Sequence, residues 1–379
     1  MGKSSMIKVG ILTSSRADYG IYLPLLNALQ RDADFELELI VFGTHLSKFH
    51  GYSIEQIKSD GFTIAACIES LLLGDTPSAI ASSFALTAQK FADFWGAQKN
   101  RFDIVFALGD RFEMAAAVLS AVPYGISMAH IHGGETTIGA IDNIYRHCIS
   151  LASKYHFVAA QPFMQRLKEL VQPNDQHIYT VGSLSLENIQ HIELLTPETF
   201  YQKWGIDLNE HTILITVHPE TVAFDKNELF CKEMLHALTD LSNSYQLVIT
   251  MPNADTAGLI YRQAFMALSE QKHNVKLIEN FGTQSYFTCM KYAKLLIGNT
   301  SSGILEAASF NKYVLNLGDR QKGRLCSANV VHLPFDSNEI IAKTNEFVNS
   351  TYQGENIYFQ QNPSAQIINL IKREYAATV

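Results

Sequence analysis

The sequence predicts an α/β protein made of two doubly wound, parallel sheets, and three observations carry that prediction. Short apolar runs recur along the 379 residues, segments with a helical apolar period separate them, and the alternation pauses once, over a polar stretch from about 184 to 210, before restarting. Strands that are apolar throughout are covered on both faces, which is the condition of a parallel sheet flanked by helices.

The first half opens with the β-rich run MIKVGIL (6–12), after which Ile21, Leu25, Ala28 and Leu29 share one helix face. FELELIVFG (35–43) and FTIAACI (62–68) read as strands, 77–95 as a helix, FDIVFALGD (102–110) as a strand, 111–122 as a helix and ISMAHIH (126–132) as a strand. Helix 141–153, strand YHFVAA (155–160), helix 162–171 and strand HIYTVGS (177–183) complete it. The second half repeats the pattern with strand TILITVH (212–218), helix 227–242, strand YQLVITM (245–251), helix 259–270 and strand VKLIE (275–279). Helix 285–293, strand KLLIG (294–298), a helix begun by GNTSSGILEAASF, and strands YVLNLG (313–318) and VVHLP (330–334) follow. A terminal amphipathic helix is expected over 364–377, and ENIYFQQ (355–361), although it resembles a protease site used in expression tags, reads as native coil leading into that helix.

Hydrophobic residues make up 47% and charged residues 17% of the chain, so folded domains are expected throughout. The net charge of -8, without a basic stripe, speaks against nucleic acid or an anionic membrane as partner. No apolar run reaches the roughly 18 residues of a membrane span, and the N-terminal apolar stretch is too short for a signal peptide. Five widely spaced cysteines suit neither a disulfide framework nor a cysteine-based zinc site and fit a reducing cytoplasm.

In doubly wound sheets, ligands bind beyond the carboxyl ends of the strands. Eight polar loops fall there: TSSRADYG, GTHLS, GDR, HIHGGE, HPET, PNAD, GNTSSG and GDRQKGR, which together describe a cleft between two domains. Small residues Ser301, Ser302 and Gly303 at a helix start expose N–H donors to an anion, and Glu306 one turn on suits ribose hydroxyls. An ordinary serine cap explains the same residues without a ligand. Arg320, Lys322 and Arg324 can pair with a diphosphate, and His218 at a strand end is a phosphate or leaving-group contact. Arg16 and Asp18 follow the first strand without a GxGxxG, so a dinucleotide site is not supported, and local pairing of the two is an equal reading.

Asp110, Arg111, Glu113, His130, His132 and Glu135 fall on neighbouring strand ends, where carboxylates and imidazoles are tuned for acid–base work, with Glu113 in a structural register. A divalent cation on the HxH pair is the rival reading, and the further DxH and GHxH motifs of a binuclear phosphoesterase are absent.

Taken in order, SRADYG, GTHLS, LGDRFE, AHIHGGETT with GAIDN and RH, HPET, NAD, GNTSSGILEA and GDRQKGR resemble the hydrolysing UDP-N-acetylglucosamine 2-epimerases of bacterial sialic acid synthesis, over residues 6 to about 330. The resemblance implies a GT-B fold with the active site in the cleft. It also implies a domain 1–184 joined by a returning helix 364–379, and a UDP-side domain 185–363. The implied reaction eliminates UDP to a 2-acetamidoglucal and adds water, giving N-acetylmannosamine, with neither cofactor nor metal, in a cytoplasmic homodimer or homotetramer. Asp110, His132, Glu135 and Asp142 are the implied catalytic groups. Arg16, Asp18, His45, Arg111, His218, Ser301, Ser302, Glu306, Arg320 and Arg324 are the implied contacts to UDP or substrate. Many members read HIEGGE where this chain has His132, so either His132 or Glu135 takes that role. A UDP-2,4-diacetamido-2,4,6-trideoxy sugar is an alternative substrate. A GT-B glycosyltransferase and a silent UDP-sugar-binding regulator are alternative classes, and neither needs so many acid–base groups in the first domain.

Overall fold

A computed structural model describes residues 6–377 apart from 74–75, 137, 139–141, 221–222, 253–257 and 280. The chain divides into two compact units. The first runs to Thr136 and takes in Ile141–Asn188 and Tyr358 onward; the second takes in Thr137–Ala140 and Ile189–Ile357.

In the first unit β1 (Ile7–Thr13), α1 (Arg16–Arg31), β2 (Phe35–Phe42), α2 (Ile54–Ser59), β3 (Ile64–Ile68), α3 (Pro77–Ala97), β4 (Ile104–Leu108) and α4 (Phe112–Ala121) follow one another. After them come β5 (Met128–Ile131), α5 (Asp142–Leu151), β6 (Tyr155–Val158), α6 (Gln161–Leu170), β7 (Ile178–Thr180) and α7 (Leu184–His191). The strands form one parallel sheet in the order β3-β2-β1-β4-β5-β6-β7. Alternate residues supply its two faces. Val9, Ile11, Leu39, Val41, Phe106 and Ile131 pack with Tyr22, Leu25 and Leu26 of α1. Ile40, Phe42, Val105, Ala107 and Met128 pack with Phe91 and Trp95 of α3 and Met114 and Val118 of α4.

The second unit is built from α8 (Pro197–Trp204), β8 (Thr212–Thr216), α9 (Asn227–Leu241), β9 (Gln246–Thr250), α10 (Gly258–Gln271), β10 (Val275–Ile278) and α11 (Gly282–Tyr292). It continues with β11 (Leu295–Gly298), α12 (Ser301–Leu305), β12 (Val314–Leu317), β13 (Val330–Leu333) and α13 (Ser337–Phe347). Its parallel sheet has the order β10-β9-β8-β11-β12-β13, with Ile213, Ile249, Ile297 and Leu315 on one face and Leu214, Val248, Leu296 and Val314 on the other.

The polar stretch around 184–210 is not a loop: it holds α7 and α8, the latter begun by Thr196, whose hydroxyl accepts from the Thr199 N–H, and ended by Gly205 in the left-handed region. The last helix, α14 (Pro363–Ala376), belongs to the first unit. Ile367, Ile368 and Ile371 join the core beside α1, the buried Glu187 carboxylate accepts from Ser364 N (2.8 Å) and Oγ (2.5 Å), and Lys372 reaches Asp32 and Asp34. Within ENIYFQQ, Tyr358 is buried and its carbonyl accepts from Ser183 N–H, so that stretch is irregular but packed. Thus the units change over at 188 and 358, where the sequence suggested 184 and 364.

In each sheet the strand order reverses at one place, between β1 and β4 and between β8 and β11. At such switch points the outgoing loops diverge and leave a crevice.

Candidate active site

At the first switch point, β4 is followed by Gly109, whose φ of 82° turns the chain so that Asp110 comes next at the sheet edge. The neighbouring β5 ends at Ile131, and His132 takes φ 65°, a left-handed conformation costly for a side chain with a Cβ. Two glycines then bring the chain through a space too small for side chains. A Cβ on Gly133 would lie 2.9 Å from His130 Nδ1, and one on Gly134 2.6 Å from the Phe163 carbonyl oxygen.

Arg146 of α5, only 3% exposed, organises this corner. It donates to the carboxylate of Asp110 and to the His132 carbonyl (2.9 Å), and it lies 3.3 Å from Glu135 Oε2. The other oxygen of Glu135 meets His132 Nδ1 at 2.7 Å, while His132 Nε2 is buried without a hydrogen-bond partner. Burial disfavours the guanidinium charge, yet Asp110 and Glu135 outweigh it and hold Arg146 more firmly protonated than usual. Asp142, at the start of α5, is shifted the other way: burial and then the charge of Asp110 raise its carboxyl above the usual range. A carboxyl with a raised proton affinity beside other carboxylates and an imidazole is equipment for acid–base chemistry.

His130 does not join them. Its Nε2 lies 2.8 Å from the Gly109 carbonyl, to which it donates, and Nδ1 lies 2.9 Å from Ser150 Oγ. Both nitrogens are occupied, and burial pulls its pKa down to about 3, so the HxH pair does not converge on a cation. Glu113 is fully buried and takes a two-point ion pair from Arg111, whose remaining surface stays exposed.

Two of the expected ligand contacts, Asp18 and His45, have partners within the fold. Asp18 closes a capping box with Ser15 and accepts from Thr13 Oγ1 (2.5 Å), Ser14 and Ser15, while His45, fully buried, lies between Thr13 Oγ1 (2.9 Å) and Ser53 Oγ (2.7 Å). Buried and hydrogen-bonded, they brace the β1–α1 turn. Arg16 is the first residue of α1, exposed, with Nη2 on the His50 carbonyl (3.0 Å).

In the second unit, β8 and β11 are tied at their ends by Asn299, fully buried, which accepts from His218 N (2.8 Å) and donates to His218 O (2.9 Å). Burial, with Arg320 nearby, lowers the His218 pKa to about 4, so its imidazole is neutral at pH 7. Glu220, buried, accepts from the backbone of Asp319 (2.9 Å) and Arg320 (3.0 Å) and fixes the loop after β12. Arg320 donates Nη1 to the Pro219 carbonyl (2.9 Å), and Arg324 Nη1 lies 3.3 Å from Gln321 Oε1.

The helix expected from GNTSSGILEAASF is shorter than the sequence suggests. It is a single turn capped by Thr300, with Glu306 as its C-cap, running into a 3₁₀ turn at Ala307–Phe310. Serines and a glycine are weak helix formers, and so short a helix carries little dipole. Ser301, Ser302 and Glu306 nevertheless line a cavity of about 450 Å³ with Thr216, Thr250 and the aromatic Phe281, Tyr286 and Phe287. Ser302 Oγ and the Tyr286 hydroxyl are buried there without hydrogen bonds of normal geometry, and burial pushes the Tyr286 pKa up to about 12. Arg324 and Lys322 line a separate cavity of about 630 Å³ with Glu220, Asp319 and His332. The PNAD turn expected to serve a nucleobase lies, from Asn253 on, outside the described residues.

Sequence reading assigned no role to Arg146 or Glu220. An arginine inside an apolar helix period, four residues after Asp142, is a signal for the first; the second sits in HPE beside the histidine that drew attention.

Residues 27–372 match the family model described as UDP-N-acetylglucosamine 2-epimerase. The chain is 34% identical over 325 residues to the GDP/UDP-N,N'-diacetylbacillosamine 2-epimerase (hydrolyzing) of Campylobacter jejuni, covering 86% of this chain and 83% of that protein. It is 30% identical over 373 residues to polysialic acid biosynthesis protein P7 of Escherichia coli, covering 97% and 94%. Among solved structures, UDP-GlcNAc 2-epimerase from Neisseria meningitidis bound to UDP-GlcNAc shares the two-domain GT-B-like fold, with a TM-score of 0.78, 19% identity and coverage of 97% and 100%.

Proposed function

The chain belongs to the UDP-N-acetylglucosamine 2-epimerase family, and we propose that it is a hydrolysing member, converting UDP-N-acetylglucosamine and water into UDP and N-acetylmannosamine for sialic acid synthesis. The observation that carries this is the first-unit cluster of Asp110, His132, Glu135 and Asp142 around one buried arginine. A glycosyltransferase needs no such group of proton donors and acceptors; a reaction that removes and replaces a C2 proton does.

The second unit supplies the nucleotide half. Glu306 takes the ribose hydroxyls, the aromatic wall takes the base, and Ser301 and Ser302 approach the diphosphate. Because α12 is only one turn, most of the leaving-group stabilisation falls to Arg320 and to neutral His218, with Arg324 on the separate cavity left without a part in it. The C2 hydrogen has no adjacent carbonyl to acidify it, so loss of UDP and of that proton must be coupled. Asp142, whose carboxyl is raised by burial and then by the charge of Asp110, takes the part of proton donor to C2 when water adds. The five free thiols are in keeping with a cytoplasmic enzyme.

A relative named for diacetylbacillosamine at 34% identity favours a second substrate, the diacetamido-trideoxy sugar, for the same chemistry. The test is proton NMR of the protein with each UDP-sugar in deuterated buffer containing a chelator. Free UDP with a 2-epimeric sugar carrying deuterium at C2 is the expected result. Intact substrate in both tubes would overturn the assignment. Asp110→Asn should still bind UDP while losing most turnover.

A further inference from the structure

We infer that His132 and Glu135 act as one unit, with His132 Nε2 as the proton-accepting atom and Glu135 as its positioning residue; this rests on the hydrolysing-epimerase reading. An imidazole acts as a base through a nitrogen that carries no proton, so the proton's place on the ring decides which atom is available. Glu135, a carboxylate, is an acceptor, and at 2.7 Å it demands a proton on Nδ1. The remaining lone pair is then on Nε2, which no protein group takes up and which is shielded from bulk water. A buried polar nitrogen left unpaired is costly unless a ligand or reaction uses it.

The surroundings are built to keep this arrangement. Arg146 lies on the outer oxygen of Glu135 and donates to the His132 carbonyl, so one buried cation fixes the carboxylate and the left-handed backbone of His132 together. Gly133 and Gly134 let the chain double back so that a residue three positions later reaches the ring. A side chain at either position would push the loop off this course.

In the reaction, the proton at C2 passes to His132 Nε2, and the C2–H electron pair forms the C1–C2 double bond. The C1–O bond breaks with its pair leaving on the diphosphate oxygen of UDP. The ring, now an imidazolium, gains stability from the Glu135 carboxylate. Protonated Asp142 then delivers a proton to C2 as water gives hydroxide to C1 and a proton back to Asp142. His132 hands its proton to the departing diphosphate, so one water is consumed and the proton leaves the site with UDP.

The experiment combines kinetics with nitrogen-15 NMR of the histidine rings, using His132→Gln to assign the His132 signals. In the resting enzyme, the neutral His132 ring should show a proton on Nδ1 and none on Nε2. His132→Gln should lower kcat by about 10² to 10⁴. Glu135→Gln, which keeps shape and an acceptor oxygen but loses the charge, should lower kcat by about tenfold or more with KM nearly unchanged, and Glu135→Ala further. Glu135→Asp should recover less than the parent because the shorter arm cannot span the same distance. An Nε2–H tautomer, or Glu135→Gln with the parent's kcat, overturns the proposal while leaving the reaction intact. A parent enzyme inactive on both UDP-sugars instead overturns the reaction itself, with the tautomer still measurable.

Discussion

Acidification from pH 7 to pH 5 should remove about 4 kcal/mol from the stability of the first unit through two histidines alone. Burial holds the His130 pKa near 3, and burial followed by the neighbouring His177 holds His156 near 4, against 6.5 for a solvated ring. The unfolded chain therefore takes up protons that the folded unit refuses. Stability from this source is complete above pH 6.5 and is lost as pH falls towards the folded values. For each ring the difference between pH 7 and pH 5 is about 2 kcal/mol, since 1.5 units below the unfolded pKa correspond to that energy at 1.36 kcal/mol per unit. The chain offers a clean readout. Of its two tryptophans, Trp95 is fully buried in the first unit and Trp204 ends α8 in the second. Trp204→Phe leaves Trp95 fluorescence to report the first unit in urea titrations at pH 7, 6 and 5. Adding His156→Phe removes one titrating ring and should halve the loss, to about 2 kcal/mol. If the two proteins lost the same stability over this range, burial would not be keeping His156 neutral.

Three other outcomes follow from the same structure. Arg320→Ala removes a guanidinium placed on the Pro219 carbonyl beside His218, and calorimetry should show UDP binding weakened about tenfold or more; unchanged affinity would remove Arg320 from the diphosphate site. Gly298→Ala places a Cβ on top of the Thr216 carbonyl oxygen, and the second unit should lose about 3 kcal/mol or more in denaturant titration followed by Trp204; a near-neutral effect would mean that β8 and β11 can separate freely. Glu187→Ala strips Ser364 of its buried partner, costing about 1–3 kcal/mol, and should speed hydrogen exchange across α14; unaltered exchange would show that the apolar face of the helix suffices.

The strands were legible because each is apolar over most of its length, and every run expected as a strand is one, shorter by a residue or more except β1, which is shifted by one residue to Ile7–Thr13. α8 and α13 went unread although each carries its own punctuation. Thr196 with Pro197 and Gly205 bracket α8, and Asp336 caps α13 by accepting from the Glu339 N–H. Their apolar faces are narrow, so periodicity alone did not mark them. At the site, the sequence could name Asp110, His132 and Glu135 because strand ends gather polar residues, and Asp142 through the family resemblance. It could not rank them, because rank depends on Arg146 reaching from α5 to three of their groups, a relation between helix register and strand order. Asp18 and His45 carry a role that spacing does not display: polar residues at a strand end also brace the turn that follows it.

The first unit is written in separated stretches of chain, with residues 189–357 folding into the second unit before Tyr358 onward returns to complete it. During synthesis the ribosome therefore delivers everything the second unit needs while the first still lacks α14, and Ile367, Ile368 and Ile371 reach their core last. Until then the apolar wall of α1 that they cover is open to chaperones and to other nascent chains. A premature stop near residue 360 would thus yield a complete second unit and a first unit whose core against α1 stays unsealed.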